Sequence, residues 1–197
     1  MIKSTKKYID SEFSYVGKCE IDFADFQKVI DNPEEFTSKN SCVSFYTGGD
    51  ETFNVTKKQI LSRGYTKEDT EFFVLYDDES DLFDKLNSWM VKKFNLKLVK
   101  SSLMCQMPGK VNPLHFDAYV QLRKDFKLNE SEFENIRRYI IFLEDKLPGQ
   151  FFCFGETDIS WKKNDIYTWE PGIYHATANS SFEKRVIINV TGVVNGI

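Results

Sequence analysis

The spacing of apolar residues divides the chain into a first part with one clear helix and a second part made of strands. Within residues 81–94, apolar residues recur at steps of three and four, which is typical of an amphipathic helix packed on a sheet. Its apolar positions are Leu82, Phe83, Leu86, Trp89, Met90 and Phe94. A shorter helix is predicted within residues 22–36, and the apolar run 72–76 predicts a buried strand.

From Leu96 onward, short apolar runs alternate with turn signals such as Pro108-Gly109 and Pro148-Gly149. Strands are predicted at residues 96–106, 139–143, 150–154, 159–161, 165–169 and 185–191, and the polar stretch 121–135 is predicted as a loop with a helical turn. Many short strands with regular turns indicate a sandwich or a barrel, and jelly rolls are one such architecture. We therefore predict a mainly β fold with flanking helices.

Composition narrows the class of protein. A chain of 197 residues with 41% apolar residues can form one domain with a sizeable core. The net charge of −4 argues against nucleic acid as the main partner. No run of about 18 apolar residues predicts a membrane helix, and the first residues do not resemble a signal peptide. We expect a cytoplasmic protein with no membrane partner, whose four scattered cysteines are free thiols.

Two residues that commonly bind metals, His115 and Asp117, lie two positions apart in the segment after Pro108-Gly109. On an extended strand, residues i and i+2 project from the same face, so the imidazole and the carboxylate are predicted to converge. They are two members of the two-histidine, one-carboxylate set that holds non-haem Fe(II) with open positions for substrate and O2. The only other histidine is His175, so one hypothesis accounts for both histidines of the chain.

The last predicted strand has two different faces. Val186, Ile188 and Val190 form one face, and Arg185, Ile187, Asn189 and Thr191 form the other. Arg185 lies ten residues after His175, so a tight hairpin is predicted to bring the two onto neighbouring strands. A guanidinium inside a cavity needs an anion, and it matches a carboxylate with two hydrogen bonds. The alternative is an outward-facing strand with Arg185 on the surface.

These features together resemble the Fe(II)/2-oxoglutarate-dependent dioxygenases. The resemblance consists of His115-Phe-Asp117, the distant His175 and Arg185 ten residues later, and it extends over about residues 98–192. Residues 138–145, 148–150 and 161–169 are similar to small family members of phage and bacterial origin. The layout also resembles the prolyl and aspartyl/asparaginyl hydroxylase branch. Residues 1–95 carry no matching motif.

The resemblance implies a single dioxygenase domain over residues 1–197. Its core, residues 96–197, would be a double-stranded β-helix, the jelly roll of the cupins, and residues 1–95 would be a helix-containing support region. His115, Asp117 and His175 would bind Fe(II), and Arg185 would pair with the distal carboxylate of the cosubstrate 2-oxoglutarate. With O2, oxidative decarboxylation of 2-oxoglutarate to succinate and CO2 would be coupled to hydroxylation of a substrate. A phage-encoded protein would do this in the host cytoplasm.

One departure from the family concerns the cosubstrate. Some relatives carry Ser or Thr two residues after the arginine, where this chain has Ile187, so another residue must supply that contact. Tyr139 and Arg138 are both candidates on opposite faces of one strand, and the alternative for Tyr139 is an aromatic residue of the core. Asn189 shares the face of Arg185 and is a candidate supporting group.

The substrate is left open by the sequence. The loop after the His-x-Asp motif, with Tyr119 and Arg123, is predicted to form part of its pocket. A small molecule, a free amino acid or a peptide side chain would fit such a site. Two other classes remain: a cupin-like metalloenzyme that does not use 2-oxoglutarate, and a β-sandwich binding module without catalytic activity.

Overall fold

Strands dominate the computed structural model, which describes residues 13–45, 57–58, 60–117 and 119–195. The strands are β1 Phe13–Lys18, β2 Ser38–Ser41, β3 Glu71–Tyr76, β4 Leu96–Gln106, β5 Lys110–His115, β6 Ile136–Phe142, β7 Gln150–Phe154, β8 Thr157–Asp158, β9 Asp165–Trp169, β10 His175–Asn179 and β11 Arg185–Val194. The helices include α1 Gln27–Asp31, α2 Pro33–Phe36, α3 Cys42–Phe45, α4 Asp84–Phe94, α5 Val120–Phe126 and α6 Glu130–Glu134, with short 3-10 turns at Ala24–Phe26, Asp77–Glu79 and Asp81–Phe83.

The order of the strands defines the architecture. One antiparallel sheet runs β1-β9-β6-β11-β4-β3-β2, and the other runs β5-β10-β7-β8. The last eight strands therefore form two four-stranded halves, β9-β6-β11-β4 and β5-β10-β7-β8, with successive strands mostly in opposite halves. This interleaving is that of a double-stranded β-helix, which confirms the predicted jelly-roll class. The N-terminal region extends the larger sheet with β1 at one edge and with β3 and β2 at the other.

The predicted pairing of His175 with Arg185 on neighbouring strands is wrong. His175 begins β10 in the smaller sheet, whereas Arg185 begins β11 in the larger sheet. The connection of residues 180–184 therefore crosses from one sheet to the other and does not close a hairpin within one sheet. The inward faces of β10 and β11 thus lie on opposite sides of the barrel interior.

The outer face of the larger sheet packs against the helices. Phe83, Leu86 and Met90 at α4 are fully buried, and they belong to the same cluster as Leu103 of β4 and Ile188 of β11. This is the amphipathic helix that the apolar spacing predicted. It ends at Asn95, which adopts a left-handed conformation (φ 51°) that asparagine tolerates better than most residues.

The second core lies between the two sheets. Phe142 of β6 stacks on Trp161 with ring centroids 4.2 Å apart, and Phe152 of β7 meets Phe142 edge to face. Trp169 and Ile187 complete this aromatic cluster. Phe residues contribute to both cores, because Phe142, Phe152 and Phe154 lie between the sheets whereas Phe23, Phe26 and Phe83 lie on the helix side.

Two predicted elements differ from the structure. Residues 159–161 are not a strand: the short strand is β8, Thr157–Asp158, and Trp161 follows it as a buried ring in the aromatic cluster. Residues 121–135 contain more helix than one turn, because α5 and α6 occupy most of the stretch. Asn129 caps α6 by accepting a hydrogen bond from the backbone N–H of Glu132, whose side chain reaches back to Asn129 N–H, a local signal for a helix start.

The four cysteines are free thiols, as predicted. Across the described residues, no helix combines the length and the apolar character that a bilayer crossing requires.

Candidate metal centre

Three ligand-bearing side chains converge inside the barrel. His115 ends β5 and His175 begins β10, and the two are direct partners in the antiparallel ladder. Asp117 lies two residues beyond His115, just after the end of the strand. The two side chains therefore converge from the last residue of β5 and from the segment that follows it, and not from one face of a single strand. One ligand atom from each of the three residues lies within 4.8 Å of the others. In the described part of the chain, this is the one such group of three or more ligands.

Backbone carbonyls fix the orientation of both imidazoles. Nδ1 of His115 lies 2.7 Å from the carbonyl oxygen of Pro113, and Nδ1 of His175 lies 3.1 Å from that of Ile173. A carbonyl oxygen can only accept, so each Nδ1 carries a proton, and in a neutral ring the free lone pair is then on Nε2. This is the tautomer that a metal-binding histidine needs, with its other nitrogen held by the protein.

Asp117 is held as a carboxylate. Burial disfavours its charge, but Arg138, together with His175 and His115, outweighs burial and lowers its pKa to about 2. The Nε of Arg138 lies 3.2 Å from Oδ2 of Asp117, and the Tyr119 hydroxyl donates to the same oxygen at 3.4 Å. Burial, followed by the nearby Asp117 charge, raises the pKa of Tyr119, so its hydroxyl stays protonated and remains a donor.

His175 is neutral at ordinary pH. Burial lowers its pKa first and His115 lowers it further, to about 4, although Asp117 acts in the opposite direction. The Nε2 of His175 lies 3.9 Å from Oδ2 of Asp117. Two imidazoles that are each held at Nδ1, together with one ionised carboxylate, match the donor set of a divalent transition metal. The residues therefore fit a bound metal ion.

Aromatic rings surround the inner side of the centre. The ring of His175 lies 5.2 Å from Trp169 and 6.1 Å from both Phe152 and Phe154, measured between centroids. These apolar rings limit the access of water to the centre on the side of His175. Water has more access on the side of Asp117, whose side chain is 22% exposed.

Arg185 is buried inside the barrel without an acidic partner. Its side chain is among the buried residues, and no carboxylate of the described residues forms an ion pair with it. One Nη1–H donates to the carbonyl oxygen of Phe151 at 2.8 Å, the guanidinium lies 5.5 Å above the ring of Phe152, and Nε has no partner. Burial lowers its pKa to about 9. The surface position that the sequence left open as the alternative does not occur.

The other predicted site residues are placed differently from one another. Tyr119 reaches the ligands, whereas the exposed Arg123 lies over the ring of Phe133 at 4.6 Å. Asn189 lies on the same face of β11 as Arg185, and its Nδ2 is 2.6 Å from Sδ of Met104. Tyr139 packs against Phe94 in the helix-side cluster, with centroids 4.6 Å apart, so the structure does not bring it to the ligands.

Sequence reasoning did not assign the observed roles of three polar residues inside the barrel. Arg138 was named only as an alternative cosubstrate contact, and its ion pair with Asp117 was not predicted. Gln106 and Thr177, which are buried and bonded to each other, were missed. Thr177 could have been found from its position two residues after His175, which places both on one face of a strand.

Comparison with known proteins gives a likeness of fold only. No protein-family model matches the sequence, and no curated protein matches it significantly. An uncharacterized conserved protein with a double-stranded β-helix domain from Klebsiella pneumoniae is 16% identical, with a TM-score of 0.34 over 51% of this chain and 72% of that one. A predicted oxalate decarboxylase from Thermotoga maritima is 14% identical, with a TM-score of 0.38 over 63% of this chain and 82% of that one.

The cupin domain of Cnp3 from Schizosaccharomyces pombe is 9% identical, with a TM-score of 0.39 over 62% of this chain and 64% of that one. None of these three descriptions names 2-oxoglutarate or an oxygenase that uses it. At such identities and TM-scores, the likenesses carry no argument about activity. The strand order of the chain itself establishes its fold.

Proposed function

We propose that the protein is a non-haem iron oxygenase that couples oxidative decarboxylation of 2-oxoglutarate to hydroxylation of a small-molecule or peptide substrate in the cytoplasm. The observation that carries this proposal is the buried guanidinium of Arg185, which has no acidic partner among the described residues. A charge held inside a barrel without a counter-ion is unfavourable unless a ligand supplies the counter-ion. A dicarboxylate supplies it, because one carboxylate can pair with Arg185 while the other end approaches the metal centre.

The distance between the two features suits this cosubstrate. His175 is one of the three candidate ligands, and Arg185 lies over Phe152, the residue opposite Thr177 in the ladder of β10 and β7. Thr177 is two residues from His175, and two residues of a strand span about 7 Å. A five-carbon dicarboxylate covers a comparable distance between its keto acid end and its distal carboxylate. The donor set and the arginine therefore support the same ligand.

His115, Asp117 and His175 would hold the metal, which supplies, when bound, open coordination positions and the electrons that activate O2. The chain's own residues provide the rest. The two backbone-bonded Nδ1–H groups leave Nε2 as the nitrogen of each ring that would bind the metal, and Arg138 keeps Asp117 ionised. The overall reaction is balanced: one O2, one 2-oxoglutarate and one C–H bond give succinate, CO2 and one hydroxyl group.

The centre also has a positive charge beside its carboxylate. Arg138 lies against Asp117 with its side chain 19% exposed, and its guanidinium lies 5.2 Å from the ring of Tyr119. Tyr119 and Arg138 thus both lie beside Asp117, whose side chain is 22% exposed. We propose that they form the boundary between the metal centre and the bound substrate, whereas Arg123 is held away from it by Phe133.

The deciding experiment is a turnover assay with Fe(II), 2-oxoglutarate and O2 over a panel of amino acids, peptides and metabolites. Succinate is measured together with the mass of one added oxygen atom in each candidate substrate. His175→Ala is the metal-free control, and Arg185→Ala is the cosubstrate control. Stoichiometric metal binding without any affinity for 2-oxoglutarate would instead indicate a cupin-like metalloenzyme, and absence of stoichiometric metal would indicate a binding module.

A further inference from the structure

Three buried polar side chains face one another across the barrel, one on each of three strands. They are Gln106 at the end of β4, Thr177 in β10 and Arg185 at the start of β11, with exposed fractions of 7%, 8% and 4%. Gln106 is the direct partner of Arg185 in the ladder of β4 and β11. The side chain of Gln106 then spans the space between the sheets, because its Nε2 donates to Oγ1 of Thr177 at 3.1 Å.

A second route links Thr177 to Arg185. Thr177 is the direct partner of Phe152 in the ladder of β10 and β7, and the guanidinium of Arg185 lies 5.5 Å over the ring of Phe152. Gln106 and Phe152 therefore connect Arg185 to Thr177 on two sides. This closed arrangement places the unpartnered guanidinium and the Thr177 hydroxyl around the same part of the interior.

The hydrogen bond from Gln106 decides what the Thr177 hydroxyl can do. The amide Nε2 donates to Oγ1 at 3.1 Å, and the Thr177 hydroxyl in turn donates to Oε1 of the same amide over 3.4 Å. That second contact is long and neutral, so a carboxylate, as a charged acceptor, competes well for the hydroxyl hydrogen. The strand that carries Gln106 is itself anchored here, because Nδ2 of Asn179 donates to the Gln106 carbonyl oxygen at 2.9 Å. The hydroxyl is thus oriented before any ligand arrives, which lowers the entropic cost of binding one.

We propose that Thr177, oriented by Gln106, donates a hydrogen bond to the same distal carboxylate that pairs with Arg185. This inference rests on the proposed function and adds to it a second recognition group for 2-oxoglutarate. Thr177 supplies, from the opposite sheet, the hydroxyl that Ile187 cannot supply from the arginine's own strand. Gln106 is a positioning residue, since it acts through Thr177.

The test measures ligand affinity, not turnover. Protein loaded with Co(II) is titrated with 2-oxoglutarate and, separately, with 2-oxobutyrate, which has the keto acid end but no distal carboxylate. Wild type is compared with Thr177→Val, which removes the hydroxyl at nearly constant shape, and with Thr177→Ser, which keeps it. The matched control is Thr70→Val, since Thr70 is fully buried and its hydroxyl lies at hydrogen-bond distance from the backbone carbonyls of Thr66 and Lys67.

Thr177→Val should weaken 2-oxoglutarate binding by about ten- to a hundredfold, the range for one hydrogen bond to a charged group. Binding of 2-oxobutyrate should not change, and Thr177→Ser and Thr70→Val should bind 2-oxoglutarate nearly as wild type does. In an Arg185→Ala background the effect of Thr177→Val should shrink, because both residues act on one carboxylate.

Equal losses for both keto acids would overturn the inference, because the hydroxyl would then act only through the structure of the barrel. Wild-type affinity for 2-oxoglutarate in Thr177→Val would overturn it as well. If the wild-type protein itself has no affinity for 2-oxoglutarate, the proposed function fails and this inference fails with it. Thermal unfolding of each variant identifies any loss of affinity caused by misfolding. If Thr177→Val misfolds, Gln106→Leu decides, because it keeps the Thr177 hydroxyl but removes the side chain that orients it. It should weaken binding of 2-oxoglutarate and leave binding of 2-oxobutyrate unchanged, and equal losses for both would overturn the inference.

Discussion

Replacing Arg185 should separate ligand binding from protein stability. The residue is almost fully buried, and burial lowers its pKa from 12.5 to about 9. That lowering corresponds to about 5 kcal/mol of unfavourable free energy for holding the charge without an anion. A carboxylate that pairs with Arg185 can recover much of this, in line with about 3–5 kcal/mol for breaking a buried ion pair.

Arg185→Ala should therefore weaken 2-oxoglutarate binding by roughly two to three and a half decades. Arg185→Lys restores the charge but not the paired donors, so it should recover only part of the loss. Affinity for Fe(II) should hardly change in either variant, because the arginine is not among the converging ligands. The assay is calorimetric titration of 2-oxoglutarate and of Fe(II), under anaerobic conditions, for wild type and both variants.

The stability arm uses Arg185→Met, which fills similar space without charge. In the absence of ligand, its free energy of unfolding in urea should equal or exceed that of wild type. The substitution removes a buried charge that has no anion beside it, which stabilises the folded state. It also removes the donor to the carbonyl oxygen of Phe151, which is the smaller, opposing effect. The reasoning is refuted if Arg185→Met is strongly destabilised while Arg185→Ala keeps wild-type affinity for 2-oxoglutarate.

Three further outcomes follow from the same structure. Replacing His115, Asp117 or His175 by Ala should abolish stoichiometric Fe(II) binding in a metal titration, and Co(II), Ni(II) and Zn(II) should compete for the wild-type centre. For metal-free protein, the lowered pKa of His175 means that the unfolded state takes up the proton first as the pH falls. Stability should thus be complete above about pH 6.5 and decline towards pH 4, by up to about 3 kcal/mol, and urea unfolding of His175→Gln at the same pH values should lack this component. Phe142→Ala should cost about 3–5 kcal/mol in chemical unfolding because the ring is fully buried, whereas Phe182→Ala, whose side chain is exposed, should cost almost nothing.

Local patterns along the chain were sufficient to predict most of the elements. Apolar residues are spaced by three and four over α4, and they alternate over β11. Both patterns arise because one face of the element is buried, so each can be recognised within a single segment. The same alternation placed Arg185 on the inward face. The ligands could be proposed because the chain offers only two histidines, one of them in a His-x-Asp motif.

The errors came from features that depend on distant parts of the chain. A ten-residue separation between His175 and Arg185 is compatible with a hairpin or with a crossover, and only the packing of the two sheets selects the crossover. The sequence around Trp161 predicts a strand, but in the structure residues 159–161 are outside any strand. The Trp161 ring instead stacks on Phe142, a residue distant in the chain. Arg138 and Asp117 are 21 residues apart, so their ion pair could not be inferred from either segment alone.

The strand that carries His115 lies at the edge of the smaller sheet, where β10 is its only partner among the described strands and the register shifts between His175 and Thr177. Edge strands with an interrupted ladder are where a fold opens first. A metal ion bound by His115, Asp117 and His175 would link this edge strand to β10 in the middle of the sheet. The ion pair of Asp117 with Arg138 would extend the link to β6. The rate of amide-proton exchange along β5 would then report the fraction of protein with bound metal, and this measurement needs no substrate.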